Sequence, residues 1–234
     1  METISCVNQK IVELWGKWEK KLRNIDEHLP VPFLYSGKLR RNALLFVGLN
    51  PSFLPDLYNP IWGHIEPKTF AGWSNCIEID KVQQAIEREN VKRRKYRRYF
   101  GVFQDISKKV GAVWEHIDLF FYRKLKQDDF KRQIYENDSL TEFVLCQLRL
   151  SKELIHELQP RIIVVANKLA SDIFCEEWKL KTDEERGYDL AFVSGKNTPV
   201  FLGSMLSGQR ALDIYSRKRL IWHIKKAIKE IPNE

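Results

Sequence analysis

"RIIVVANKLASDIFCEEW", residues 161 to 178, decides the fold class. Its first part, "RIIVVAN" (161–167), is a strand that is apolar almost throughout, and "KLASDIFCEEW" (168–178) continues directly as a helix. Strands without polar alternation are usually covered on both faces, as in a parallel sheet. Working outward, "NALLFVG" (42–48), "AVWEHIDLFF" (112–121) and "PVFLGS" (199–204) read as three more strands. "QRALDIYSRKRLIWHIKKAIKEI" then closes the chain as a long basic helix. Strand alternating with helix predicts an α/β fold, with a mainly parallel four-stranded sheet and helices on both sides.

The connecting segments are legible in the same terms. Ile4, Val7, Ile11, Leu14, Trp15, Trp18 and Leu22 recur at steps of three and four, which predicts an amphipathic helix over 4–24. "EHLPVPFLYSG" (27–37) is an extended connection, because prolines two apart cannot continue a helix. Residues 49–78 carry Pro51, Pro55, Pro60 and Pro67 among Trp62, Phe70 and Trp73, a long non-repetitive segment of the kind that serves function. Residues 79–110 are expected as helix in two pieces, and a helix near 138–158 stops before Pro160. The expectation is one domain over 1–234, with 1–40 as a helical extension packed on it.

At 234 residues, 44% hydrophobic and 30% charged, the chain has globular composition, and no apolar run approaches the ~18 residues of a membrane span. The start, "METISCVNQKIVELW", lacks the pattern of a secretory signal, so the expected setting is intracellular, cytoplasmic, with no membrane partner. Cys6, Cys76, Cys146 and Cys175 form no C-x-x-C pair and the five histidines are dispersed, so neither metal nor iron-sulfur cluster is expected and the thiols are read as free and mostly buried. No cofactor is implied.

The net charge of +8 favours anionic partners. It is concentrated in "RENVKRRKYRR" (88–98), seven Lys/Arg against one Glu with Tyr96 interleaved. That run is either a solvated helix face or a surface that contacts phosphates through Arg93, Arg94 and Arg97.

Ligands of open parallel sheets bind outside the carboxyl ends of the strands. Those ends deliver "GLNPS" (48–52), "HIDLF" (116–120), "AN" (166–167) and "GSMLSGQR" (203–210), so Asn50, Asp118, Asn167, Ser204, Ser207, Gln209 and Arg210 are candidates to ring one crevice. Gly48 allows close approach to the backbone, and Pro51 fixes the dihedral after Asn50.

Two of these ends carry a resemblance. "GLNPS" resembles the first motif of the uracil-DNA glycosylase superfamily, in particular the mismatch-specific branch, whose motif runs Gly-x-Asn-Pro followed by Gly or Ser. "SMLSGQR" (204–210) resembles that branch's second motif, in which Pro-Ser-Gly or Pro-Ser-Ser leads toward an Arg. The resemblance implies a three-layer α/β/α sandwich and a DNA glycosylase that flips a base from double-stranded DNA as a monomer. Asn50 would hold the attacking water as the catalytic group, while backbone around Gly48, Leu49, Pro51 and Ser52, and around Ser207 and Gly208, would bind the departing base. Phe70, or in its place Tyr58, would stack on the base, and Leu206 or Arg210 would wedge into the duplex.

The chain also departs from the pattern. Positions 203–207 contain no His, as in the mismatch branch, and Leu206 stands where that branch has Pro. Asp118 lies where many members read the base with Asn. An ionised carboxylate only accepts hydrogen bonds, so it would repel the carbonyls of uracil or thymine and accept from an amino or imino group. The open alternatives are that Asp118 only pairs with a neighbour, that Phe70 only packs, and that the same fold binds nucleic acid or nucleotide without cutting it.

Overall fold

Apolar segments such as "LLFVG" and "IIVVA" become parallel strands because both of their faces find cover. In this computed structural model, residues 2–25, 32–52, 55–62, 79–123, 135–136, 139–208 and 211–231 are described. They form mixed α/β structure with seven helices and a six-stranded, mainly parallel sheet among the described residues. The chain divides into two compact units, one comprising residues 1–38, 50–94 and 120–154, the other residues 39–49, 95–119 and 155–234.

The second unit holds the sheet. Strands β1 (Leu44–Gly48), β2 (Trp114–Asp118), β5 (Ile162–Ala166) and β8 (Lys196–Gly203) lie in the order β2-β1-β5-β8, all parallel. β1 and β5 are buried at every position. One face packs Leu44, Phe46, Ile162, Val164 and Phe201 into a core with helix α4 (Arg97–Val110) and the last helix, α7 (Ile214–Glu230). The other face, including Leu45, Val47, Ile163 and Val165, is buried too, and helix α6 (Lys168–Trp178) packs on β5 and β8.

The sheet is larger than the four strands expected. β7 (Tyr188–Val193) and β6 (Lys181–Asp183) extend it antiparallel beyond β8. The turn-rich "SGKNT" is a hairpin: Ser194 and Gly195 have φ of 47° and 86° and join Val193 to Lys196, the positive-φ pair of a tight two-residue turn.

The first unit contains α1 (Glu2–Ile25), α2 (Pro55–Trp62), α3 (Ile79–Arg94), a two-residue ladder of β3 (Tyr135–Glu136) with β4 (Ser139–Leu140), and most of α5 (Glu142–Leu158). Trp15 of α1 meets Phe143 of α5 edge-on at 4.9 Å. α2 lies in the segment expected to be irregular, opening on Pro55, which suits a first helical turn. The extended chain at 32–36 has backbone groups satisfied by side-chain amides: half-buried Asn8 exchanges two hydrogen bonds with Tyr35, and buried Asn90 donates through Nδ2 to Leu34 O at 3.0 Å. Cys6 and Cys175 are exposed and Cys146 half-buried, which corrects the expectation of buried thiols; Cys76 lies outside the described residues.

Candidate functional site

In the second unit, the first and last parallel strands end at the same edge of the sheet, because β1 and β8 both run parallel to β5. Their following bends, starting at Leu49 and Ser204, therefore leave from that edge. Gly48 pairs with Asp118, and Ala166 with Gly203. By strand alternation from Phe46, Val164 and Phe201, the last row on the α4 and α7 face reads Asp118, Gly48, Ala166, Gly203. Only Asp118 in that row carries a side chain larger than methyl.

Asp118 is 2% exposed, and its carboxylate lies over Gly48. A Cβ added at residue 48 would sit 2.2 Å from Asp118 Oδ1 and 3.1 Å from His116 Nε2. Gly48 is thus required for close approach, here of a carboxylate. Gly48 O accepts from Leu119 N at 3.0 Å, which holds the end of β2 beside the end of β1. His116 Nε2 lies 3.7 Å from Asp118 Oδ1. The imidazole stacks on Phe103 at 5.5 Å and meets the edges of Tyr99 and Phe100 at 5.9 and 5.1 Å. Three rings thus hold the imidazole whose Nε2 faces the Asp118 carboxylate.

The chain matches no protein-family model and no curated protein.

The bend after β8 is pinned from behind. Ser171 Oγ of α6 donates to Gly203 O at 2.9 Å and accepts from Gly203 N at 3.2 Å. Leu212 N donates to Met205 O at 2.8 Å, closing the bend from the α7 side. Within it Ser207 is half-buried and Gly208 is exposed with φ of 89°, a left-handed conformation that suits glycine. Leu206 is 4% exposed and belongs to the core cluster, which corrects its expected place as a wedge, since a wedge needs an exposed tip. Asn167 is corrected as well: its Oδ1 accepts from Ala170 N at 3.1 Å and caps α6. Phe70, Gln209 and Arg210 lie outside the described residues.

In the first unit, Asn50 is half-buried, and its Nδ2 donates to Pro51 O at 3.3 Å and Tyr122 O at 3.4 Å. Those contacts fix which end of the amide is nitrogen. Pro51 is buried and Ser52 exposed. Ser52 O accepts from Arg93 Nη1 at 3.2 Å, and the Arg93 guanidinium lies 4.8 Å from the Phe33 ring centre. The basic run thus reaches the first motif itself. Arg94 is half-buried, whereas Arg97, in the second unit, is exposed.

Sequence reading missed the group beneath Arg93. Glu89, inside the basic run, is fully buried and forms a two-pronged ion pair with buried Arg123, with Nη2 to Oε2 at 2.7 Å. Trp62 Nε1 donates to Glu89 Oε2 at 2.9 Å, and Arg123 faces the rings of Phe33 and Tyr58 at 5.2 and 5.4 Å. Burial pushes the Glu89 carboxyl up, but the charge and hydrogen bonds of Arg123, with Arg93 and Trp62, outweigh it and hold Glu89 below the ordinary carboxylate range. Tyr58 is therefore engaged with Arg123 and, at 6.3 Å, with Trp62.

Among the described residues, no helix is long and apolar enough to cross a membrane, and no three metal-ligating side chains converge.

Proposed function

We propose that this protein is a DNA glycosylase of the uracil-DNA glycosylase superfamily, built as that family's three-layer sandwich and working as an intracellular monomer on duplex DNA without a cofactor. The observation that carries the reading is the second unit's sheet edge: the bends after the first and last parallel strands leave together, with Asp118 laid over Gly48 in a row otherwise free of bulk.

In this reading Asn50, two residues beyond Gly48, orients the attacking water through its amide oxygen while the nitrogen is held by backbone carbonyls. An amide is a weak base. It suffices where the glycosidic bond breaks ahead of attack and the sugar becomes cation-like, because the barrier is then lowered mainly by stabilising the departing anionic base. Backbone N–H groups from Leu49 and from Ser207 to Gly208 serve that purpose. Asp118 reads the base edge as an acceptor. It favours hypoxanthine, whose N1–H has one carbonyl beside it, over uracil, whose N3–H lies between two.

The test is incubation with duplexes carrying hypoxanthine, uracil, ethenocytosine or mismatched thymine, followed by alkaline cleavage of abasic sites. The expected result is release of hypoxanthine first and none by Asn50→Ala. Product from none of the four sinks the proposal. The second reading, a nucleic-acid binder without chemistry on the same fold, is favoured by the absence of His at 203–207. It predicts salt-dependent duplex binding in the absence of any released base.

A further inference from the structure

The outward face of the last helix has no part in the sheet. α7 turns Ile221, Ile224 and Ala227 into the core, while Tyr215 and Trp222 stand 68% and 59% exposed on its other side. Lys218, Lys225, Lys226 and Lys229 are exposed as well, and steps of three, four and seven bring them onto the same stripe as the two rings. Lys218 Nζ lies 5.6 Å from the Tyr215 ring centre, so ring and cation already face one binding surface.

We infer that this stripe binds a single strand of nucleic acid, with Tyr215 and Trp222 stacking on bases and the lysines pairing with phosphates. Aromatic rings interleaved with cations match the two needs of an unpaired strand, whose bases offer flat faces and whose backbone offers one negative charge per nucleotide. The rings are seven residues apart, about 10 Å along the helix at ~1.5 Å per residue, which spans roughly three nucleotide steps of ~3.4 Å. An anionic lipid surface attracts the same lysines, but insertion needs an apolar helix face, and that face of α7 is committed to the core.

The direction of α7 gives the stripe a function. Leu212, just before the helix, bonds to Met205 in the bend after β8. At the other end, Glu230 and Ile231 line a cavity of about 490 Å³ with Asn42 and Arg161, which precede β1 and β5. The stripe therefore runs from the edge that holds Gly48 and Asp118 toward the opposite edge, a track for a strand leaving the first edge. Strand binding here needs no chemistry at Asn50, so it stands apart from the base-excision reading.

The probe is a fluorescent oligothymidylate about twelve nucleotides long, followed by anisotropy over a range of salt. Tyr215→Ala and Trp222→Ala should each weaken binding about five-fold or more, and Trp222→Phe should restore most of the loss. Lys225→Glu, Lys226→Glu and Lys229→Glu together should lower the slope of log affinity against log salt by about 2, at ~0.7 per phosphate contact. All of these side chains are exposed, so unchanged melting temperatures are expected, and Asn50→Ala should bind the oligonucleotide as the parent does even if no base is ever released. Parental affinity and slope in the ring and lysine variants overturn the inference. Binding to phosphatidylserine vesicles but not to the oligonucleotide overturns it too.

Discussion

The carboxylate of Asp118 occupies the space that a side chain at Gly48 would need, 2.2 Å from the position of its Cβ. Gly48→Ala must therefore push a buried acid off its seat beside His116. The expected cost is about 1–3 kcal/mol, the range for overpacking a closed site, read as a lower midpoint in urea. Truncating the obstacle should relieve the strain, so Gly48→Ala with Asp118→Ala should be more stable than the sum of the two single losses. Strictly additive losses would show that the pair does not compete for one space.

Glu89 supplies a pH signature. Its folded-state carboxyl is held below the ordinary carboxylate range, so its ionised form stabilises the fold above that range, and the contribution disappears as pH falls through the lower folded value. Urea titrations from pH 7 down to pH 3 should show stability declining below about pH 4.5. Glu89→Gln should be less stable at pH 7 by about 3–5 kcal/mol, since it strands the buried Arg123 charge, and its decline with acid should be shallower. A parallel decline in both proteins would assign the acid sensitivity to other carboxylates.

These two features show what a sequence can and cannot reveal. β1 and β5 are legible because burial on both faces leaves the continuous apolar runs "LLFVG" and "IIVVA". β7 was not legible, since its burial is broken by half-exposed and exposed positions and "YDLAFV" has no clean period. Gly48 and Asp118 stand out by their places at strand ends, but the carboxylate over the glycine depends on register, which no local pattern encodes. Glu89 was hidden for a different reason. On α3 the inward positions are Ala85, Ile86, Glu89 and Asn90, so the helical period continues through polar residues whose partners, Arg123 and Leu34 O, are distant in sequence. Asn167 illustrates the converse: a polar residue at a strand end suits a site, yet its oxygen caps the next helix.

Two of the three arginines proposed for phosphate contact, Arg93 and Arg97, should separate in experiment. Arg97 is exposed, so Arg97→Glu is expected to leave stability unchanged and to lower the salt slope of duplex binding by about 1. Arg93 holds Ser52 O and covers Phe33, so Arg93→Glu should also lower the denaturation midpoint, because it adds a negative charge near Glu89 and releases the loop carbonyl. Equal effects of the two reversals on both slope and midpoint would mean that Arg93 acts only as a surface charge.

Asp118→Asn tests the chemistry of the base edge. The substitution keeps the side chain's size over Gly48, so it avoids the steric conflict of a larger group, and it exchanges an acceptor-only carboxylate for an amide that both donates and accepts. A donor aimed at the base can pair with a carbonyl that the carboxylate repels. The preference for hypoxanthine over uracil should then shift toward uracil by about tenfold or more, the scale on which polar sites discriminate between matched and unmatched edges. Comparing single-turnover release from the two duplexes, for parent and variant, isolates the edge from any change in stability, because a partly unfolded enzyme loses both activities in proportion. A ratio that stays constant while both rates fall would return Asp118 to a purely structural role beside His116.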